Sequence, residues 1–216
     1  MAIKIYGIPT STCVLRVIAT CNALDIPYEM IYIDLRKDEH KSDKFLKLQP
    51  FGKIPVIQDG DFYIYESRAI CRYLIAKYQT NTSAQLIPKD HQAAGLVEQY
   101  ISVETSYYDP GVYSFVKEVL FKKILNQGEP DPAIVSASRA KMIETYTIYD
   151  KILEGKSYLV GDSLTLADIA HLPYGHYAYT TGAEDIFDSP ERPNFARWWK
   201  NIINHPAWVK SISRQD

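Results

Sequence analysis

The sequence predicts an α/β domain with the element order βαβαββα, followed by a domain built of helices alone. Three observations carry this. Short alternating apolar runs are confined to the first 65 residues, two of them flank an Asp59-Gly60 turn, and beyond a polar stretch at 79–89 every apolar segment repeats at helical spacing.

Taken in order, I-K-I-Y-G-I (Ile3–Ile8) alternates as a strand does. From Thr12 to Leu24, the residues Val14, Val17, Ile18, Cys21 and Leu24 recur on one helical face. Y-E-M-I-Y-I-D-L (Tyr28–Leu35) reads as a second strand, and Ser42–Leu48 as a short helix. K-I-P-V-I-Q-D-G-D-F-Y-I-Y-E holds two strands around the Asp-Gly hairpin signal. Ser67–Tyr78 follows as a helix with Ile70, Leu74 and Tyr78 on one side. One right-handed βαβ unit plus a hairpin gives a four-stranded mixed sheet with helices on both faces. That is the thioredoxin-like layout. Pro55 sits awkwardly in a short apolar strand unless the strand is an edge or the Ile54–Pro55 bond is cis. A cis bond would turn the backbone so that Ile54 could hydrogen-bond an extended peptide.

Residues 1–80 are therefore expected to form the α/β domain, 81–89 a linker and 90–216 an all-helical domain. Helices are expected at Ala93–Leu125, Ala133–Leu153, Thr165–Thr180 and Phe195–Ile203, with Pro110-Gly111 kinking or interrupting the first. T-L-A-D, Thr165 to Asp168, is a capping box with a structural reading.

Composition narrows the function. With 216 residues, 46% of them hydrophobic, the chain can bury a real core. The net charge of −2 argues against nucleic-acid binding through phosphates. No run approaches a membrane span, and M-A-I-K-I-Y-G does not read as a signal peptide, so a soluble cytoplasmic protein is expected. Cys13, Cys21 and Cys71 are odd in number, form no C-x-x-C and fall in apolar helical patterns. They read as core residues, with no disulfide framework and no metal site expected.

Chemistry-bearing residues cluster at P-T-S-T-C, Pro9 to Cys13, where a strand runs into a helix. Ser11 there is an N-cap or a hydrogen-bond donor to a ligand, with Thr10 and Thr12 within reach of the same point. Cys13 is the rival nucleophile, although it lies about two residues inside the helix and turns away from its start. Glu66-Ser67 opens another helix and reads as a capping pair or as an anion and ammonium site.

Several motifs now align. Ser11 after the first strand, Q-P-F-G-K-I-P-V (49–56), D-G-D, Y-E-S-R-A-I (65–70) and Y-L-V-G-D-S-L-T-L-A-D-I-A-H-L-P (158–173) together resemble the cytosolic glutathione transferases. Ser11-Thr12, His40-Lys41 and H-L-P at 171–173 are most similar to the phi class of plants and fungi, although Tyr174 stands where that class commonly has Asn. The resemblance spans nearly the whole chain.

It implies a detoxifying transferase in which the Ser11 hydroxyl stabilises the glutathione thiolate for attack on a hydrophobic electrophile or an organic hydroperoxide, with Thr12 among the glutathione-binding residues. Glu66 and Ser67 would hold the γ-glutamyl end, His40, Lys41 and Lys53 the glycyl carboxylate, and Ile54 the cysteinyl backbone. Ile8, Thr10, Tyr107, Tyr108, Tyr113 and Phe115 would line the electrophile pocket. Glutathione would be the co-substrate, with no other cofactor. A homodimer with Phe51 at the interface is implied, with no nucleic acid and no membrane involved. Two alternatives stay open: a ligand-binding protein on the same fold, and a Cys13-dependent thiol transferase.

Overall fold

The computed structural model describes residues 2–213. These fall into two compact units, one made of residues 2–86 with 205–213 and the other of Ile87–Asn204.

In the first unit, β1 (Ile3–Gly7), α1 (Thr12–Ala23), β2 (Tyr28–Tyr32), α2 (Asp43–Leu46), β3 (Val56–Asp59), β4 (Phe62–Tyr65) and α3 (Ser67–Tyr78) follow in the expected order. The strands lie β2-β1-β3-β4. β1 runs parallel to β2 and antiparallel to β3, and β3 pairs antiparallel with β4. Asp59 faces Phe62, so Gly60 and Asp61 make a two-residue turn, with Gly60 at φ +62°. The period-2 alternation assigns the two faces. Ile5, Ile57 and Ile64 stand in register on one, and Tyr6, Val56 and Tyr65 on the other. α1 covers the first face: a side chain at Gly7 would meet Val14 at 2.6 Å. Phe45 of α2 packs on the second, against Val56 and Tyr6.

β2 ends three residues before Leu35, the end expected from the pattern. The Asp34 carboxylate accepts hydrogen bonds from the amides of Arg36 and Lys37 and turns the chain into a 3₁₀ segment. A side chain that bonds its own following backbone competes with the ladder.

Helices of the second unit are α4 (His91–Val103), α5 (Asp109–Val116), α6 (Lys122–Ile124), α7 (Pro132–Ile152), α8 (Leu166–Ala178), α9 (Glu184–Phe187) and α10 (Pro193–Ile203). Pro110-Gly111 does not interrupt the helix; the irregularity there is a π-helical turn just before it. π-helical turns at Glu104–Tyr108 and Lys117–Phe121 join α4, α5 and α6 into one helical path. The first of these sits just before Pro110 in the opening turn of α5, and its wider turn, with the Asp109 amide bonded to Glu104 O, accommodates the proline without ending the helix. The core is aromatic. Tyr146 stacks on Phe195 at 4.1 Å, Phe187 meets Trp199 at 4.6 Å, and Trp198 lies beside Tyr149 at 6.0 Å.

The domain boundary expected at 90–216 needs correction at its far end. A last helix, α11 (Pro206–Ile212), absent from the sequence reading, packs on α1 in the first unit. The Asn22 amide donates to Ser211 Oγ at 2.8 Å, and Trp208 is buried there. Leu86, inside the expected linker, is also buried in the first unit.

Among the described residues no helix is long and apolar enough to cross a membrane, and no group of three or more His, Cys, Asp or Glu could hold a metal ion.

Candidate active site

Strand directions create the site. β1 and β4 both end at the edge of the sheet where β3 begins, so α1 and α3 start side by side there. Each has twelve residues and presents unpaired backbone N–H groups and a positive dipole end. Extending the register past the strand ends sets Ile8 opposite Ile54 and Ile54 opposite Ser67. The Ile54–Pro55 bond is cis.

Ser11 is the N-cap residue of α1, half-buried, and its hydroxyl makes no hydrogen bond to the helix. Its backbone supplies the turn instead: the Ser11 amide donates to Ile8 O at 3.1 Å and Leu15 donates to Ser11 O at 2.8 Å. The hydroxyl proton is left for a ligand. Of its neighbours, Thr12 is buried and Thr10 exposed.

Ser67 is buried at the first position of α3. Its hydroxyl accepts a hydrogen bond from Arg16 Nη1 at 2.8 Å. With its oxygen taken up by a cation, the hydroxyl proton is free to donate to an anion. Arg16 was missed in the sequence because it sits inside an apolar run, where a charged residue reads as a solvent-facing position. It is wholly buried. The available signal was an arginine with buried apolar neighbours on both sides, since such a cation needs a partner. Glu66 precedes Ser67 with φ +69°, a conformation costly for a residue with a side chain, and leaves its carboxylate in solvent.

His40 and Lys41 lie on a 3₁₀ turn, Glu39–Lys41, brought against the 51–53 loop. Lys41 Nζ donates to Phe51 O at 3.2 Å. Gly52 has φ +58°, and a side chain there would press on His40 O at 2.8 Å, so this approach requires glycine. Lys53 is exposed beside it.

The family models for the N-terminal and C-terminal domains of glutathione S-transferase match residues 1–76 and 110–206. Glutathione S-transferase hmp2 of Hypomyces subiculosus is 40% identical over 215 residues, covering 99% of both chains. The chain belongs to the glutathione S-transferase family. Glutathione transferase F2 from Populus trichocarpa, in crystal form, aligns over 99% of this chain and 98% of its own with a TM-score of 0.93 at 33% identity. Maize glutathione S-transferase I, solved with an atrazine–glutathione conjugate, aligns over 100% and 98% with a TM-score of 0.91 at 29% identity. The chain is thus a phi-type member, a transferase with the two-domain fold of that family.

Against that fold, the four aromatics expected to wall the electrophile pocket part company. Tyr108 and Phe115 are core residues. Tyr108 stacks on Tyr146 at 5.5 Å and meets His171 edge-on at 4.6 Å. Tyr107, 60% exposed, lies with Val103 of α4 in a groove of about 310 Å³ whose other wall is Ile148 and Ile152 of α7. Tyr113, 43% exposed, turns to α8 and meets Tyr174 at 5.7 Å. Phe121 extends this row to Tyr174 and Tyr177. Helical geometry explains the split, since Tyr108 and Phe115, two turns apart, share the core face of the helical path while Tyr107 and Tyr113 lie on others. Tyr174 and Tyr177, three residues apart on α8, were the signal for the row.

Of the three cysteines, Cys21 and Cys71 are buried. Burial raises both buried thiols: Cys71 is pushed up to about 11, and Cys21 further. Cys13 is half-buried, with Arg16 Nη1 3.8 Å from its sulfur.

Proposed function

We propose that this transferase binds glutathione at the shared start of α1 and α3 and holds its sulfur as the thiolate, with the Ser11 hydroxyl as donor. A free thiol ionises near 8.5, and lowering that by about two units requires roughly 2.7 kcal/mol. A hydrogen bond to a charged group contributes about 1.5–3 kcal/mol and a helix N-terminus about 0.3–1. The two together suffice. The observation that carries the reading is the Ser11 hydroxyl, placed at a helix N-terminus yet making no cap bond.

Ser67, relieved by Arg16, donates to the γ-glutamyl carboxylate, and Glu66 pairs with the ammonium group. His40, Lys41 and Lys53 receive the glycyl carboxylate, and the Ile54 backbone holds the cysteinyl unit. The thiolate attacks a small hydrophobic electrophile or reduces an organic hydroperoxide, with no cofactor beyond glutathione. The atrazine conjugate bound by the maize relative supports an aromatic electrophile. The protein works in the cytoplasm as a homodimer. Phe51, 68% exposed and touching its own Tyr65 edge-on at 6.3 Å, enters the Tyr107 groove of a second copy.

Ser11→Ala tests the core of this. Turnover of a model aryl chloride should fall at least about 100-fold, within the range lost with one transition-state donor. Glutathione affinity should be retained, and the bound thiol should titrate upward toward its solution value. Wild-type turnover near background with a tightly held apolar ligand would favour the binding-protein reading. An unshifted thiol in the wild-type complex would refute thiolate stabilisation.

A further inference from the structure

The two faces of the sheet are covered unequally. α1 and α3, twelve residues each, serve one face, whereas α2 has four residues and serves the other. One helical turn cannot cover the β1–β2 half of that face. A cavity of about 350 Å³ remains between α2, β1 and β2. Its walls are Tyr6, Ile31, Ile33, Phe45 and Leu48, and Tyr32, 65% exposed, stands at its rim. That volume is at the small end for ligand sites, enough for one or two fused rings.

The polar groups at the mouth are Glu39, Ser42 and Lys44. Glu39 Oε2 accepts from the Asp34 amide at 2.7 Å. The Ser42 hydroxyl donates to Glu39 O at 2.7 Å and accepts from the Phe45 amide at 3.3 Å. Lys44 has no ion pair among the described residues. Of the three groups at the mouth, Lys44 is the one left without a partner, and it asks for an anion. None of Ser11, Lys41, Lys53, Ile54, Glu66 or Ser67 lines the cavity.

We propose that this cavity binds a small planar aromatic carboxylate, with its ring between Tyr6, Ile31 and Phe45 and its carboxylate on Lys44, while glutathione occupies the Ser11 end. Only the simultaneous occupancy rests on the glutathione reading; the cavity and its cation stand without it.

The test is equilibrium titration with 2-naphthoate, and with 2-naphthamide as its uncharged counterpart. Wild type should bind one naphthoate per chain with a Kd of about 1 mM or tighter, as expected for a ligand of this size. Saturating glutathione should change that by less than about twofold, the signature of uncoupled sites. Lys44→Gln should weaken naphthoate about fivefold, the loss of one exposed ion pair, and leave naphthamide unchanged. Ile31→Trp, which fills the cavity, should weaken both at least about tenfold. Lys44→Gln should keep wild-type turnover. If Ile31→Trp fails to fold, the naphthoate–naphthamide comparison in Lys44→Gln decides alone. Absence of a one-to-one site, equal loss of both ligands in Lys44→Gln, or competitive displacement by glutathione overturns the proposal. Displacement with normal turnover would place the ligand at the Ser11 end and leave the glutathione reading intact.

Discussion

Asp168 is a polar group whose removal should cost the helical unit heavily. It is fully buried, and burial raises its carboxyl despite four hydrogen bonds to it. Oδ1 accepts from the Leu159 amide at 3.0 Å and from Trp198 Nε1 at 2.8 Å. Oδ2 accepts from the Thr165 amide and hydroxyl, both at 2.9 Å. Asp168→Ala leaves three fixed donors without an acceptor, because the hydroxyl alone can rotate away. Each stranded donor costs about 1–3 kcal/mol, so the sum is roughly 3–9. Relief of the buried charge and entry of a water into the vacated space bring this toward the low end, about 4 kcal/mol. Asp168→Asn keeps one oxygen and turns an NH₂ toward two donors, at a cost of about 2–3 kcal/mol. The assay is urea unfolding at 25 °C, followed by far-ultraviolet circular dichroism and by tryptophan fluorescence. With a slope of about 2 kcal/mol per molar urea, Asp168→Ala should lower the midpoint by about 2 M and Asp168→Asn by about half as much. A shift below about 0.5 M for the alanine variant would refute the premise that these donors have no alternative acceptor.

Gly175 faces the Tyr108 hydroxyl, and an added Cβ would lie 2.7 Å from the Trp199 ring. Gly175→Ala should therefore destabilise by about 1–3 kcal/mol in the same unfolding assay, although alanine ordinarily strengthens a helix. Asp59 gives a pH dependence. Burial pushes its carboxyl up, but hydrogen bonds from Lys77, Tyr73 and Tyr78 outweigh this and hold it below the usual range. Its ionised form thus adds stability that is fully present above the unfolded carboxyl pKa, about 4, and is lost as pH falls through the lower folded value. The gap in unfolding midpoint between wild type and Asp59→Asn should be constant near pH 6 and shrink below about pH 4. Thiol titration should find one reactive group in the native protein, Cys13, and three after unfolding. Cys13→Ser should retain transferase and disulfide-exchange activity, and a loss of exchange activity would move the nucleophile to Cys13.

How far the site was legible depends on whether its residues act through local backbone or through distant neighbours. Ser11 and Ser67 were readable because each follows a strand and opens a helix, and the β1, β3 and β4 directions bring two such starts together. Arg16 was not, because its meaning is its contact with Ser67, 51 residues away. Tyr107, Tyr108, Tyr113 and Phe115 were grouped by closeness in sequence. On a helical path that closeness scatters side chains to α7, to the core and to α8.

The alternation of Ile3 to Gly7, the Asp59-Gly60 turn and the capping pair of Thr165 and Asp168 are local signals, decided within a few residues by backbone sterics and short hydrogen bonds. These determined strand, turn and helix order, and with it the family resemblance. Three matters waited for the folded chain: the passage of the helix through Pro110, the return of α11 to α1, and the thin cover that α2 gives to its face of the sheet. Each depends on what packs where, because burial and the pairing of buried polar groups are settled between segments far apart in the chain, and no single window of sequence contains both partners.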